Sequence, residues 1–264
     1  MLYLVATPIG NLKDITYRAV EILKEVDEIA CEDTRHSLTL LNAYGIKKPL
    51  VAYHKFNERE SGEKIIEKLK QGKNIALITD AGMPVVSDPG NVLVKMLLEN
   101  GLEYTIIPGA SACLSALVLS GLDASRFTFI GFLPEKKSDR EQLLAKYNSS
   151  QETLIFYSAP HDVVKDTKTL YECLGERNAV AVREITKLHE SVIRFNLKDG
   201  YQKEPKGEFV LLVEGAKAPD FSSLSEFEHV KMYIKEGMDK KEAIKKVAKE
   251  RGVSKSSLYK YTIE

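Results

Sequence analysis

Short apolar runs alternate along the first half of the chain with stretches in which apolar residues return every third or fourth position. "LYLVA" (2–6) has the make-up of a buried strand, and Ile15, Ala19, Ile22, Leu23 and Val26 then recur at helical spacing. "EIAC" predicts a second strand, followed by a short helix around Leu38, Leu40 and Leu41. "PLVAY" predicts a third strand, and Ile65, Ile66 and Leu69 mark a helix that stops at Gly72. "NIALIT" and "YTIIP" supply a fourth and a fifth strand, separated by a helix over about 91–100 and followed by the helix "SACLSALVLSG". Strands separated by crossover helices build a parallel sheet covered on both faces. Ligands of such sheets sit at the carboxyl ends of the strands.

The pattern changes after "FTFIGFLPEKK". The polar stretch 134–139 reads as a linker, "TLIFYS" as a strand and 161–174 as a helix. Three strand-like runs then crowd together: "AVAVREI", "SVIRFNL" and "EFVLLVE". Their short connections favour hairpins and a mixed sheet. "GAKAPDFSS" reads as a second linker. From about Leu224 the chain loses strand signals, and from Glu228 onward it carries ten Lys/Arg against six Asp/Glu. "DKKEAIKKVAKERGVSKSSLYKYTIE" predicts a helix, a turn at Gly252 and a second helix capped by Ser254, with Ala243, Val247, Ala248, Val253 and Leu258 as a small core. This arrangement resembles a helix-turn-helix. It suits equally a nucleic-acid-binding element and a docked hairpin with a solvated lysine face. The expected organisation is an α/β fold with a parallel-sheet domain over 1–121, a mixed-sheet domain over 122–216 and a helical tail over 217–264.

Composition narrows the classes. A chain of 264 residues with 44% hydrophobic content has ample material for real cores, and 38 basic residues balance 38 acidic ones, so no global field favours nucleic acid or membrane. Cys31, Cys113 and Cys173 are odd in number and far apart, without CxxC or Cys/His metal spacing. Neither a disulfide framework nor a metal site is expected. No basic n-region precedes the first apolar run, and no run approaches the ~18 residues of a membrane span. A cytoplasmic, membrane-free protein is expected.

The candidate chemistry lies between the strands and helices. In "ITDAGMPVVSDPG" (78–90), Ser87 or Asp88 with Pro89 makes a good start for the following helix, which accounts for "SDPG". Capping does not account for "DAGMP". Gly82 there permits unusual dihedrals and Pro84 fixes the exit, so backbone groups are presented at the strand's carboxyl edge. "TPIGN" (7–11) and "PGASA" (108–112) occupy the equivalent places after the first and fifth strands, and the second has Ser111 as a candidate helix cap. Three such turns on one edge favour a binding site. Neither GxGxxG nor GxxxxGK[ST] is present, which disfavours dinucleotides and P-loop triphosphate binding. "CEDTR" and "AYHKFNERE" bring Glu32, Asp33, Arg35, His54, Asn57 and Glu58 to the same edge, as candidates for orienting a polar substrate or moving a proton. Each taken alone is equally a loop charge or a cap. His36, His161, His189 and His229 have no assignable partner and default to structure. Arg183, Glu184 and Lys187 read as an ion-pair set, and the absence of GxSxG leaves serine hydrolysis unsupported.

Nine stretches in register, "VATPIGNLKDIT", "ACEDTRHS", "YHKFNE", "LITDAGMPVVSDPG", "IIPGASA", "GFLP", "FYSAPH", "REITKLHE" and "KGEFVLLVEG", resemble the motifs of the ribosomal RNA small subunit methyltransferase I family, of the tetrapyrrole-methylase superfamily. The resemblance covers nearly the whole chain. It implies S-adenosylmethionine as cofactor, held between two α/β domains, and methyl transfer to the 2′-hydroxyl of a cytidine in the decoding region of 16S small-subunit ribosomal RNA, within the 30S subunit. By motif position, Pro8 would lie against the cofactor. Asp80, Gly82, Met83, Val85 and Val86 would surround its methionine part. Ser111 and Ala112 would follow from the next loop, and Tyr157, Ser158, Gly207, Glu208 and Phe209 would approach from the second domain. Met83 departs from the small polar residue often found there in the family. Asp33, Arg35 and His54 are the leading candidates for catalysis, with Glu32, Asn57 and Glu58 for nucleotide binding and the tail lysines for RNA phosphates. A homodimer is implied by analogy. The alternatives are a superfamily methyltransferase acting on a tetrapyrrole or another small molecule, a non-enzymatic RNA-binding protein and a nucleotide-binding regulator.

Overall fold

Each apolar run of the first half forms a strand of one parallel sheet. The strands are β1 (Leu2–Val5), β2 (Glu28–Cys31), β3 (Leu50–Ala52), β4 (Ile75–Ile78) and β5 (Tyr104–Ile107), in the order β3-β2-β4-β1-β5. The helices between them are α1 (Tyr17–Glu25), α2 (Thr34–Ala43), α3 (Glu58–Lys70) and α4 (Asn91–Glu99). β4 is buried along its whole length, and its alternate residues face two separate cores. Ile75 and Leu77 pack with Ile65 and Leu69 of α3 and Leu93 and Leu97 of α4. Ala76 and Ile78 pack with Ala19 and Leu23 of α1 and Leu41 of α2. A strand buried on both faces needs apolar residues at every position, which is why "IALI" does not alternate. Each fully buried leucine here contributes about 1.5–3 kcal/mol relative to exposure.

A second sheet has the order β6-β7-β10-β8-β9. It is built from β6 (Phe127–Phe132), β7 (Thr153–Ser158), β8 (Asn178–Arg183), β9 (Ser191–Asn196) and β10 (Phe209–Val213). β6 runs parallel to β7 and the other pairs are antiparallel, so the sheet is mixed. α6 (Lys137–Ala145) and α7 (Val163–Leu174) cover one face through Leu144, Leu170 and Leu174. The other face is covered by α5 (Ala112–Ser120), which follows β5 in the chain yet packs Cys113, Ala116 and Leu117 against Ile155, Val180, Val182, Val210 and Leu212. α5, the helix after β5, thus packs on the second sheet, and both sheets lie in one compact unit, Met1–Ala216.

The second unit, Lys217–Glu264, is helical. It holds α8 (Glu226–Lys235), α9 (Lys240–Arg251) and α10 (Lys255–Tyr259) around Val230, Tyr233, Ala243, Ile244, Val247, Ala248 and Leu258. A capping box between Ser225 and Glu228 opens α8, Gly252 closes α9 in the left-handed conformation, and Ser254 Oγ accepts from Ser257 N at 3.2 Å. The structure is a computed structural model that describes residues 1–217, 221 and 224–259. Part of the expected linker "GAKAPDFSS" lies outside the described residues.

Three local readings change. The polar stretch 134–139 is only partly a connection, because α6 begins at Lys137. α8, which the lysine-rich composition obscured, precedes the predicted pair of helices. α4 has Gly90 as its N-cap, at φ 135°, rather than Ser87 or Asp88. Gly90 N–H is instead satisfied by Glu58 Oε1 at 2.9 Å, and Ser87 and Asp88 are released to line a cleft.

Candidate active site

All five strands of the first sheet end on one edge, and the loops after β1, β2, β4 and β5 meet the second sheet around a cleft of about 390 Å³. That is within the usual size of small-ligand sites, about 300–1,000 Å³. The first and fourth loops are stitched together. Thr7 N–H donates to Gly82 O at 2.9 Å, Gly82 N–H returns to Thr7 O at 3.1 Å, and Thr7 Oγ1 donates to Thr79 O at 3.1 Å. Gly82 has φ 82°, and a Cβ there would stand 3.2 Å from Ile9 Cγ2. In the fifth loop a Cβ on Gly109 would come within 2.9 Å of Ala6 Cβ. Only glycine lets these three backbones close to this distance.

The fourth loop also holds Val85 at φ 76° and Ser87 at φ 67°. Left-handed backbone at a β-branched residue is a true outlier and costs on the order of 1–3 kcal/mol. The surroundings enforce it: Val85 packs toward Gly90, where a Cβ would lie 2.8 Å from Val85 Cγ2. The dense Gly, Pro and Asp chemistry of 80–90 therefore folds a tight, strained wall rather than a simple connection.

Asp80, Gly82, Met83, Val86, Ser111 and Ala112 line the cleft from the first sheet, and Tyr157, Ser158, Glu208 and Phe209 from the second. Glu32 joins them from the loop after β2. Pro8 does not line it, but its neighbour Ile9 does. Val85 is turned into the core beneath, and Gly207 sits against Glu184, where a Cβ would lie 2.5 Å from Glu184 Cγ. Asp33 caps α2, accepting from Arg35 N at 2.8 Å, and Arg35 is 91% exposed. Asn57 Oδ1 accepts from His54 N at 2.8 Å, and Asn57 Nδ2 donates to Ala52 O at 3.1 Å. Glu58 holds Gly90 and takes the Tyr53 hydroxyl at 3.4 Å. Ser158 Oγ is committed to Asp166 Oδ2 at 2.6 Å. Ser111 stands at the start of α5 without a side-chain cap bond, its hydroxyl lying 3.3 Å from Cys113 Sγ. Sequence reasoning missed Ile9, Asp88, Phe132 and Ile185, all of which line the cleft. Phe132 and Ile185 lie inside the quoted "GFLP" and "REITKLHE" motifs, so the signal was present without a residue attached.

Four carboxylates line the cleft, Glu32, Asp80, Asp88 and Glu208, and the first three crowd one side of it. Burial pushes Asp88 up to about 6, with Glu32 and Asp80 adding to the rise and Thr79 opposing it. Burial also raises Glu32, again with Asp80 adding, while His54 opposes. His54 Nδ1 is buried without a hydrogen-bond partner. Burial raises the Tyr157 phenol as well. An anionic floor with apolar walls of Ile9, Phe132, Tyr157, Ile185 and Phe209 fits a cation that carries a flat aromatic group.

The architecture defines the class first: residues 1–199 match the model of the Tetrapyrrole (Corrin/Porphyrin) Methylases. Solved structures share the fold, among them diphthine synthase (TM-score 0.66, 18% identity, 83% of this chain and 91% of that one) and the methyltransferase CobJ (TM-score 0.65, 19% identity, 83% and 95%). The ribosomal RNA small subunit methyltransferase I of Bacillus subtilis is 45% identical over 98% of this chain and 92% of its own length. The chain belongs to the ribosomal RNA small subunit methyltransferase I family of tetrapyrrole methylases. Its methyl donor is S-adenosylmethionine, and the cleft's carboxylates and aromatic walls suit that sulfonium nucleoside.

Proposed function

We propose that this protein methylates the 2′-hydroxyl of a cytidine in the decoding region of 16S ribosomal RNA, acting on the 30S subunit in the cytoplasm. The observation that carries the reading is the match to small-subunit methyltransferases over nearly the full chain, including the basic helical unit that a small-molecule enzyme does not require. The cofactor supplies a methyl group already activated on a sulfonium, so the protein's work is positioning, exclusion of water and handling of one proton. Asp80, Gly82, Met83 and Val86, with Ile9 beside Pro8, hold the amino-acid end. Ser111 and Ala112 close that side. Tyr157, Ser158, Glu208 and Phe209 enclose the nucleoside, and Gly207 lets the last strand approach.

Within the "CEDTR" and "YHKFNE" loops, Glu32 faces the cleft, and its raised basicity suits a residue that takes the hydroxyl proton. His54 stands by it and draws its carboxyl back down against the larger effect of burial. Asp33, Asn57 and Glu58 fix the loops that present this pair, and the exposed Arg35 meets a phosphate. In the helical unit Lys231, Lys235, Lys241, Lys245 and Lys249 capture the RNA backbone. Exposed Leu114 and Val118 on α5 and Ile106 on the edge strand β5 support a homodimer, which light scattering would test.

The deciding experiment supplies labelled S-adenosylmethionine with purified 30S subunits, and separately with a uroporphyrinogen. Label in 16S RNA that resists alkaline cleavage at one cytidine supports the proposal. Label in the tetrapyrrole, with none in RNA, overturns it in favour of the small-molecule branch whose fold this chain shares.

A further inference from the structure

Behind the second-sheet wall of the cleft lies a buried ion pair. Arg140 of α6 and Asp166 of α7 are each 3% exposed, with Nη1 2.6 Å from Oδ1. The other Asp166 oxygen accepts from Ser158 Oγ at 2.6 Å, at the end of β7. Arg140 Nε donates to the carbonyl of Pro134, just beyond the end of β6. Both strand ends are cleft wall: Phe132 precedes Pro134, and Ser158 leads into Ala159 and Pro160. One guanidinium therefore joins the two turns that face the nucleoside half of the cleft.

Stability alone is a poor reason for such a group. Removing two charges from water costs several kcal/mol per ion, and well-packed apolar replacements are often neutral or better. Direction is what a guanidinium offers, because its planar fork fixes two acceptors at a set angle where an ammonium fixes neither. Burial raises the Asp166 carboxyl, and the Ser158 hydroxyl and Arg140 draw it back toward the charged form.

We propose that Arg140 and Asp166 are positioning residues of the cofactor cleft, a clasp that sets the separation between turns 132–134 and 158–160 and so the fit of the adenosine part. The proposal rests on the S-adenosylmethionine reading of that cleft. Two full-length variants test it, with S-adenosylhomocysteine as the calorimetric probe. R140K keeps the charge but loses the fork. R140M/D166L removes the charges while keeping volume. Both are expected to melt within about 5 °C of the wild type, to bind S-adenosylhomocysteine about tenfold more weakly, and to raise KM for S-adenosylmethionine while leaving kcat nearly unchanged. If the double variant does not fold, R140K decides alone, since a purely structural ion pair is restored by lysine. Wild-type affinity in R140K, or a fall in kcat with KM unchanged, overturns the clasp. A wild-type protein that binds no S-adenosylhomocysteine overturns the cofactor reading and the clasp with it.

Discussion

At the scale of single residues the cleft is governed by carboxylates that cannot all be charged cheaply. Asp88, at about 6, titrates well above its ordinary range. The sign follows from proton uptake: between roughly pH 4 and 6 the folded state holds a proton that the unfolded state has released, so stability falls as pH rises through that window. D88N is therefore expected to melt higher than the wild type at pH 8 and nearly level with it at pH 4, measured by scanning calorimetry. Glu32, also raised by burial, is the base of the proposed transfer. E32Q should lose on the order of 10²–10⁴-fold in methylation rate while still binding S-adenosylhomocysteine. Retained activity with an unchanged pH profile would remove Glu32 from the chemistry. Asp33 shows why sequence alone left the choice open. Its side chain is drawn down mainly by the Arg35 N–H it caps, and a helix cap and a cleft base look alike in "CEDTR".

At the scale of elements, function depends on backbones that approach closely. G82A places a Cβ in left-handed backbone and against Ile9, which should separate the first and fourth loops. The expected result is a loss of S-adenosylhomocysteine binding of about tenfold or more, in line with roughly 1–2 kcal/mol of backbone cost, with little change in circular dichroism. The first sheet and β7, β8, β9 and β10 were legible because buried strands leave apolar runs, as in "IALI" and "TLIFYS", whereas β6, a half-exposed edge strand broken by Gly131, was not read as a strand. The convergence of the glycine turns was legible for a related reason: a parallel sheet puts every strand's carboxyl end on one edge. What was not legible depends on partners distant in sequence. Gly90 caps α4 because Glu58, at the start of α3, reaches its N–H. Arg140, just past the stretch 134–139 read as a linker, drew no attention because its partners, Pro134 and Asp166, meet it only after α6 and α7 pack.

At the scale of the whole molecule the two units have separate cores, and the proposed function divides its tasks between them. A chain ending at Leu224 should keep its affinity for S-adenosylhomocysteine and lose capture of 30S subunits, with a shallower salt dependence of binding. Equal methylation of subunits by the truncated chain would rule out the helical unit as an RNA anchor. That unit has its own weak point in His229, fully buried, 3.0 Å from Arg251 Nε and 3.2 Å from Glu250 Oε2. Burial first, and then the Arg251 charge, hold its pKa below the usual 6.5. The unfolded chain then takes the proton first, so the unit's stability is complete above about pH 6.5 and declines as pH drops below it. Protection factors in α8 and α9, each corrected for the intrinsic exchange rate at its pH, should be smaller at pH 5 than at pH 7, whereas those of β1 and β4 should not follow.

The packing of α5 also sets a timetable for synthesis. This helix leaves the ribosome directly after the first sheet, but much of the surface it must cover belongs to β8 and β10, far downstream. At ~5–20 residues per second, Cys113, Ala116 and Leu117 stay uncovered for on the order of 5–20 s. Nascent chains halted near residue 121 should recruit chaperones, and halting after Val213 should relieve that demand.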